Sequence, residues 1–339
     1  MKAARFYCPG DLRVEEISKP SIGPRDVLVE VKACGVCGSD VHILHGETPV
    51  PKKPITLGHE FAGVVVEAGK DVEKVKIGDY VSVYLVIFCG ECTNCITGRE
   101  NICSEWKIFG IHEDGGLAEY VKVPEVNCVK IPKNLPFEYA AILTDAVLTP
   151  YHAIKLAKIS PADVVAIYGV GGLGIHAVQL AKIFGAKVVA IDLVDYKLKT
   201  AKKFGVDETI NAVEENPVEK LLNLTDGEGV DVAMEFVGKP STIENTLNSV
   251  RRGGKAVLVG LTAEKLFYDT RLIVRREVNV LGSYAGTRKE LKELVQMTTT
   301  GKLNLSNSIT HKFHLEDTLK GLEVIERQIG NPIRVVIFP

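Results

Sequence analysis

The sequence predicts an α/β protein with two domains, one rich in β-strands and one built on a doubly wound parallel sheet. The chain has 339 residues, more than the roughly 250 to 300 that one hydrophobic core usually reaches. Its early part contains short Val-rich segments separated by Gly, Pro and Asp turns, which indicates antiparallel strands. From Asp163 onward, apolar strand patterns alternate with helical stretches, which is typical of a parallel sheet.

Composition excludes several classes of function. The formal net charge is -2, so the chain lacks the basic surface that nucleic-acid binding needs. The N-terminal residues lack the apolar segment of a signal peptide, and no apolar run approaches the roughly 20 residues of a spanning helix. We therefore expect a cytoplasmic protein without a nucleic-acid or membrane partner.

The β-rich part carries the first candidate metal ligands. We predict strands at residues 27–32, 63–68 and 80–88. A loop after the first strand holds Gly-Val-Cys37-Gly-Ser-Asp-Val-His42, and Gly-His59-Glu follows seventeen residues after His42. Cys and His are ligands that zinc prefers, and a catalytic zinc takes three protein ligands and leaves a fourth position open. On their own, one Cys and one His are weak indications, because buried Cys and core His are common.

A second cysteine cluster gives a stronger metal signal. Four cysteines are separated by two, two and seven residues: Cys89, Cys92, Cys95 and Cys103. Four thiolates close to one point form the closed tetrahedral site of a structural zinc. An iron-sulfur cluster is the alternative, but the ferredoxin spacing has three residues, not seven, between the third and fourth Cys. The sequence therefore favours zinc.

The predicted helical region at residues 137–156 contains one acidic residue in an apolar run. This residue is Asp145. A buried Asp is costly unless it is paired or binds a metal, whereas an Asp that caps a helix or faces solvent needs no such partner. Both interpretations remain open at this point.

The second domain begins with a dinucleotide-binding pattern. A predicted strand at residues 164–168 is followed directly by Gly169-Val-Gly171-Gly172-Leu173-Gly174 and an Ala-rich helix. The next strand ends at Asp192, eighteen residues after the last glycine. The glycines let the backbone approach a pyrophosphate at the helix N-terminus, and the acid accepts hydrogen bonds from the adenosine ribose. This carboxylate favours NAD over NADP, and Lys197 is the nearby cation that weakens the preference.

The remaining elements complete the predicted sheet. Further strands are expected at residues 208–210, 230–236, 256–260 and 278–281, which makes six strands in all. Helices at residues 289–300 and 316–329 and a strand at 333–338 follow. Because six strands complete a nucleotide-binding sheet, we expect this C-terminal segment to return to the first domain.

Together these motifs resemble the zinc-dependent medium-chain alcohol dehydrogenases over essentially the whole chain. They occur in the same order as in that family, and Asp-Gly-Gly-Leu-Ala-Glu-Tyr at 114–120 adds to the match. The resemblance implies a GroES-like catalytic domain at residues 1–148 and 286–339 and a Rossmann domain at 149–285. It also implies NAD, one catalytic and one structural zinc, a small-molecule substrate, and a homodimer or homotetramer.

The resemblance also assigns roles to individual residues. It implies catalytic zinc ligands at Cys37, His59 and Asp145, where many relatives have Cys in place of the Asp, and structural ligands at the four-Cys cluster. Asp40 would orient His59, Glu60 would lie near the metal, and Ser39 and His42 would relay a proton. The implied cofactor contacts are Thr149, Gly169, Gly171, Gly172, Leu173, Gly174, Asp192, Lys197, Val259 and Arg334, the last reaching the pyrophosphate or Glu60.

The implied reaction interconverts primary or secondary alcohols with aldehydes or ketones by hydride transfer to NAD. Leu85 and Ile108 fall where relatives line the substrate pocket, which favours an apolar alcohol, whereas Trp106 is expected in the core. A polyol or threonine dehydrogenase is the alternative within the family, although the Glu-Pro or Glu-Asn pair usual there is absent near Asp145. A non-catalytic nucleotide-binding redox sensor is the alternative outside enzymes. Zinc-free members of the superfamily lack the Cys and His ligands that this chain has, which argues against it.

Overall fold

A computed structural model describes residues 1–339. The chain forms two compact units, Met1–Leu148 with Thr287–Pro339 and Thr149–Gly286. Gly286, assigned to the first domain from the sequence, falls in the second unit. The predicted combination of a β-rich part and a doubly wound parallel sheet is confirmed. None of the helices is long and apolar enough to cross a membrane.

Residues 1–147 form most of the first unit. Its strands are β1 (Lys2–Cys8), β2 (Asp11–Glu16), β3 (Asp26–Val36), β4 (Ile55–Thr56), β5 (Glu60–Ala68), β6 (Tyr80–Val83), β7 (Val86–Ile87), β8 (Lys107–Ile108), β9 (Tyr120–Pro124) and β10 (Cys128–Lys130). Its α-helices are α1 (Gly38–Leu44), α2 (Thr93–Ile96) and α3 (Phe137–Ile142). A π-helical turn, Leu143–Val147, follows α3 and leads into α4 (Leu148–Ala157).

The second unit alternates strands and helices. Its strands are β11 (Val164–Tyr168), β12 (Lys187–Asp192), β13 (Glu208–Asn211), β14 (Val230–Glu235), β15 (Val250–Leu258) and β16 (Asn279–Gly282). Its helices after α4 are α5 (Gly174–Ile183), α6 (Asp195–Lys203), α7 (Pro217–Asn223), α8 (Pro240–Ser249) and α9 (Thr270–Arg276). The sheet is parallel with the order β13-β12-β11-β14-β15-β16, so the strand order reverses between β11 and β14.

The C-terminal segment completes the first unit with α10 (Arg288–Thr299), β17 (Ile309–His314), α11 (Thr318–Glu326) and β18 (Arg334–Phe338). The main path of its large sheet is β10-β6-β5-β3-β18-β17, and β9 also pairs with β3. β18 pairs antiparallel with β3, so the end of the chain lies beside the strand that leads to Cys37. Apolar side chains of β3, β5 and β18 form one buried core together with residues of the N-terminal strands.

The structure corrects two local predictions and adds elements that were not predicted. The segment after β3 is the short helix α1 rather than a loop, because the Asp40 carboxylate accepts the Cys37 N–H and closes its first turn. The predicted strand at 80–88 breaks into β6 and β7, where the buried Asn127 amide donates to the carbonyls of Tyr84 and Val86. The hairpin β1–β2 and the strand β17 were not predicted.

Candidate active site

Four ligand-type side chains converge in the first unit. They belong to Cys37, His59, Glu60 and Asp145, and their ligand atoms all lie within 4.8 Å of one another. Asp145 Oδ2 lies 3.4 Å from His59 Nε2 and 3.7 Å from Cys37 Sγ. The side chain of Asp145 is only 13 % exposed and the residue lies inside the π-helical turn, so it neither occupies a helix N-cap nor faces solvent. The structure thus brings together the three residues predicted to bind the catalytic metal, with Glu60 beside them as predicted.

Strand register and one wide helical turn position this cluster. Cys37 follows β3 directly, and β3 pairs with β5 so that Gly35 faces Glu60. A Cβ at Gly35 would lie 2.3 Å from Glu60 Oε2, so only glycine leaves room for this carboxylate. Asp145 is the third residue of the π-helical turn, a feature that often occurs at functional sites.

Negative charge dominates the cluster. Burial alone would raise the pKa of the Cys37 thiol, but hydrogen bonding with His59 lowers it below its ordinary value. Burial alone would lower the pKa of His59, but Asp40 and Asp145 raise it well above its ordinary value. Three carboxylates and a thiol with a lowered pKa are balanced here by one imidazole and the buried guanidinium of Arg334. A divalent cation therefore fits the site electrostatically.

Several buried polar atoms beside the cluster have no hydrogen-bond partner. They are Asp40 Oδ1, His59 Nδ1 and Glu60 Oε2. Asp40 Oδ2 accepts the Cys37 N–H at 2.9 Å, and its Oδ1 lies 3.7 Å from His59 Nδ1. Asp40 is thus directed toward the imidazole without a close hydrogen bond. The unpaired atoms of Asp40 and His59 face each other on the side of the ring away from Nε2, so a small shift would join them and they do not mark the position of a ligand.

The two residues predicted to relay a proton lie on α1. Ser39 is half-buried in its first turn, and the His42 side chain, 59 % exposed, is hydrogen-bonded through Nδ1 to Glu47. Residues three apart on a helix lie on one face, so Ser39 and His42 share a face of α1.

The four-Cys cluster is compact and reduced. The sulfur atoms of Cys92 and Cys95, and those of Cys89 and Cys103, are 3.5 Å apart, and all four cysteines are free thiols. Sulfurs at about 2.3 Å from a tetrahedral zinc are about 3.8 Å apart, close to these spacings. Backbone N–H groups of Ser104 and Cys95 lower the pKa of Cys92 to about 5, whereas burial raises the pKa of Cys95 to about 12. A cation would allow all four to ionise.

The glycine-rich turn of the second unit has the geometry of a phosphate-binding loop. Gly169 has φ +84°, and a Cβ at Gly174 would lie 1.8 Å from the Gly169 carbonyl oxygen. A Cβ at Gly171 would meet nothing within 4 Å, so this residue borders open space. Gly172 accepts a 2.8 Å hydrogen bond from the buried His176 ring, and Leu173 is the N-cap of α5. The helix N-terminus is thus available to an anion.

Asp192 ends β12 and holds the backbone around this turn. Its Oδ2 accepts the Val170 N–H at 2.9 Å, and its Oδ1 accepts the N–H groups of Leu193 and Val194 at 2.8 and 3.1 Å. Lys197 lies in the first turn of α6, which starts three residues after Asp192. Asp192, which we predicted to bind the adenosine ribose, thus also holds the backbone of the loops around it.

The other predicted site residues lie as follows. Val259 is half-buried after β15, and Thr149 is buried in α4. Leu85 and Ile108 are buried, and Trp106 is 40 % exposed with an edge contact to His112, so its prediction as a core aromatic is wrong. Arg334 is buried and donates to Glu60, which is one of its two predicted contacts.

Sequence reasoning did not identify Glu235. This residue ends β14 with zero exposure and accepts the N–H of Gly238. The signal was an acid at the end of an apolar strand, as at Asp192, and here it stands three residues before Gly238.

Comparisons with known proteins agree with this geometry. Residues 23–133 match the alcohol dehydrogenase GroES-like domain, and residues 172–300 match the zinc-binding dehydrogenase profile. An alcohol dehydrogenase from Geobacillus stearothermophilus is 42 % identical over 89 % of this chain and 90 % of its own length. An L-threonine 3-dehydrogenase from Pyrococcus abyssi is 39 % identical over 88 % of this chain and 87 % of its own.

Comparison with solved structures also finds zinc-binding dehydrogenases. A protein from Sinorhizobium meliloti 1021, described as a zinc-binding dehydrogenase and bound to NADP, superposes with a TM-score of 0.92 at 33 % identity. The superposition covers 100 % of this chain and 99 % of that one.

Proposed function

Because the chain belongs to the zinc-dependent medium-chain alcohol dehydrogenase family, we propose that it oxidises primary or secondary alcohols with NAD at the Cys37 cluster. The chain is a zinc-dependent oxidoreductase, and a small molecule is its substrate. The observation that supports this particular site is the convergence of Cys37, His59 and Asp145 at one buried point. No other group of side chains in the structure combines soft and hard ligands in this way.

We assign the catalytic zinc to these three residues. A thiolate at Cys37 and a carboxylate at Asp145 would balance the charge of a divalent ion, and His59, neutral once the ion displaces its proton, would complete three protein ligands. Bound there, zinc supplies Lewis acidity that lowers the pKa of a substrate hydroxyl. Asp40 orients the His59 ring from behind, a type of support whose loss weakens metal sites about ten- to hundredfold. Glu60, within 3.9 Å of His59 Nε2, is near enough to exchange places with a ligand.

The proton released from the alcohol needs a route out of the buried site. Ser39 and His42 lie one helical turn apart, with His42 at the surface beside Glu47. We propose that the Ser39 hydroxyl passes the proton to His42, which releases it to solvent. The hydride chemistry belongs to the nicotinamide, and the protein contributes position and charge.

The second proposed zinc is structural. The cysteines Cys89, Cys92, Cys95 and Cys103 use all four positions of a tetrahedral ion, so no position remains for a substrate. Metal binding at this cluster contributes folding free energy to the segment around α2, which is otherwise short and has no buried residue in its helix. Two zinc ions per chain follow from the two clusters.

The cofactor assignment rests on Asp192. Its carboxylate lies where the adenosine ribose is expected, and a negative charge there repels the 2'-phosphate of NADP. The Sinorhizobium relative was crystallised with NADP, so the cofactor is not fixed by the family. We propose NAD for this chain, bound through Gly169, Gly171, Gly172, Leu173 and Gly174, with Thr149, Val259 and Arg334 as further contacts and Lys197 as the cation near the ribose.

Threonine is the second candidate substrate. L-threonine 3-dehydrogenases are among the relatives at 39 % identity, close to the 42 % of the alcohol dehydrogenase. A panel of primary, secondary and polyhydric alcohols and threonine, followed by NADH absorbance, separates the two. Highest kcat/KM on a simple alcohol supports our proposal, whereas highest kcat/KM on threonine or a sugar alcohol contradicts it. Metal content is measured on the same sample.

We further propose a cytoplasmic homodimer or homotetramer. Reduced thiols at both clusters are required for metal binding, and a reducing compartment preserves them. Sedimentation of the purified protein tests the subunit count.

A further inference from the structure

The carboxylate of Glu235 is a buried hydrogen-bonding centre. It ends β14, has zero exposure, and its Oε1 accepts the N–H groups of Val237 and Gly238 at 2.8 and 2.9 Å. The Thr242 hydroxyl donates to the same oxygen at 2.7 Å. Burial of a carboxylate is costly unless donors surround it, so this arrangement fixes the loop that follows β14.

The backbone of Glu235 fixes a second loop. Its carbonyl oxygen accepts the N–H groups of Val259 and Gly260 at 2.9 and 3.1 Å, directly after β15. A Cβ at Gly260 would lie 2.2 Å from Gly238 N, so the two loops are in direct contact. One residue thus accepts hydrogen bonds from five donor groups and holds both loops together.

These loops also adjoin the glycine-rich turn. A Cβ at Gly169 would lie 2.5 Å from Val237 Cγ2, so the first residue of the turn packs against the loop after β14. Movement of Val237 would therefore alter the space beside the pyrophosphate-binding backbone as well as its own loop.

The position of the loops after β14 and β15 in the sheet indicates which half of a dinucleotide they would face. Dinucleotides bind outside the carboxyl ends of the strands, across the point where the strand order reverses. Here that point lies between β11 and β14, and Asp192 occupies the β12 side, where the adenosine half is expected. The loops after β14 and β15 lie on the opposite side, which leaves them for the nicotinamide half.

We propose that Glu235 is the positioning residue for the nicotinamide half of the dinucleotide site, an inference that rests on the proposed function. Its side chain does not touch the cofactor. The carboxylate holds the N–H groups of Val237 and Gly238 toward itself, and the carbonyl oxygen holds those of Val259 and Gly260. Together these bonds fix the surface on which the nicotinamide is expected to lie.

The test compares two ligands that share the adenosine and pyrophosphate but differ in the nicotinamide. Dissociation constants are measured for NADH, by its fluorescence, and for ADP-ribose, by calorimetry, with purified holoenzyme. In Glu235→Gln an N–H₂ group replaces one acceptor oxygen, which disturbs the loops. We expect the NADH constant to rise about tenfold and the ADP-ribose constant to change less than about twofold.

Asp231→Asn is the matched control. Asp231 lies at the other end of β14 and likewise accepts a backbone N–H, from Val164 at 2.8 Å, and the Arg251 Nε–H at 2.6 Å. This variant should lower the Tm and leave both dissociation constants unchanged. A loss of NADH affinity equal to that of Glu235→Gln would assign the effect to general destabilisation and contradict the proposal.

Thr242→Val keeps the carboxylate and removes one of its donors, so it remains informative if Glu235→Gln does not fold. It should weaken NADH about threefold relative to ADP-ribose. Equal changes for both ligands, or no change for either, would overturn the positioning role. A wild-type protein that binds NADH but oxidises no substrate of the panel would instead contradict the proposed function and leave the ratio of the two constants as evidence for Glu235.

Discussion

Arg334 donates a buried hydrogen bond through Nη2 to Oε1 of Glu60, and their side chains are 4 % and 0 % exposed. Glu60 starts β5 and Arg334 starts β18, with β3 between the two strands. The last strand of the chain therefore supplies a counter-charge to a carboxylate beside the candidate metal site. Buried ion pairs are costly to break because the remaining charge stays desolvated.

Replacing Arg334 with Leu should destabilise the first unit by about 3 to 5 kcal/mol, since Glu60 would be left buried without its ion-pair partner. Urea unfolding followed by circular dichroism measures this change. The double variant Arg334→Leu/Glu60→Gln removes both charges and should recover more than half of the loss. A single variant as stable as wild type would show that Glu60 has another counter-charge.

Asp145→Ala should reduce turnover more than about hundredfold, because a ligand matters more than the groups that orient it. The far-ultraviolet circular dichroism should be unchanged, since the π-helical turn has buried apolar residues on both sides of Asp145. Zinc analysis should show one ion lost per chain. Asp145→Cys, which supplies a thiolate ligand in place of the carboxylate, should retain two ions. Full activity in Asp145→Ala would show that Asp145 is not a ligand.

Cys103→Ser should remove the structural zinc and lower the Tm while the catalytic zinc stays bound. Cys103 is the buried member of its cluster, and Cys89 N–H and Glu105 N–H both donate to its sulfur at 3.3 Å. Metal content by plasma emission spectrometry should fall from two ions to one. Retention of both ions, or loss of both together, would contradict the assignment of two independent sites.

Asp192→Gly should shift the cofactor preference toward NADP, because the charge that repels a 2'-phosphate is removed. The variant also removes the acceptor for Val170, Leu193 and Val194, so NAD affinity should fall as well. The ratio of kcat/KM for the two cofactors is the measurement. An unchanged ratio would mean that another residue reads the ribose.

Glu125 should make the first unit sensitive to acid. Burial raises the pKa of this carboxyl, but the N–H groups of Lys74 and Glu73, at 2.7 and 2.9 Å, lower it below its ordinary value of 4.5. Because the folded pKa lies below the unfolded one, its contribution is complete above the unfolded pKa and is lost as the pH falls through the folded pKa.

The measurement is the Tm from pH 7 down to pH 3 for wild type and Glu125→Gln. The variant should be less stable at neutral pH, and the difference should narrow on acidification. A constant difference across this range would exclude a titrating contribution from Glu125.

Regular patterns and chemically distinctive spacings were predictable from the sequence. The six strands of the parallel sheet and the four-Cys cluster follow from apolar periodicity and from ligand spacing, and each is present. Helix α1 was missed because its first turn is closed by a local contact from Asp40 to the Cys37 N–H, which has no apolar periodicity. β17 alternates half-buried and exposed residues and contains two His and a Lys, so its composition did not indicate a strand.

The place of Asp145 in the site could not be predicted from local sequence patterns. Its residue type was visible, but its approach to Cys37 depends on a long-range arrangement over 108 residues of chain. The buried pair of Glu60 and Arg334, separated by 274 residues, depends on sheet order in the same way.

The position of the Asp145 carboxylate depends on the number of residues in the π-helical turn Leu143–Val147. Successive residues of a regular α-helix are rotated by about 100° around the axis. Deleting a single residue ahead of Asp145 in that turn would therefore swing its carboxylate to another face of the helix, with every side chain near the ion still present. The direction of the Asp145 carboxylate thus depends on the number of residues that precede it in the turn. A homologue with a deletion at this place should use a different residue as its third ligand.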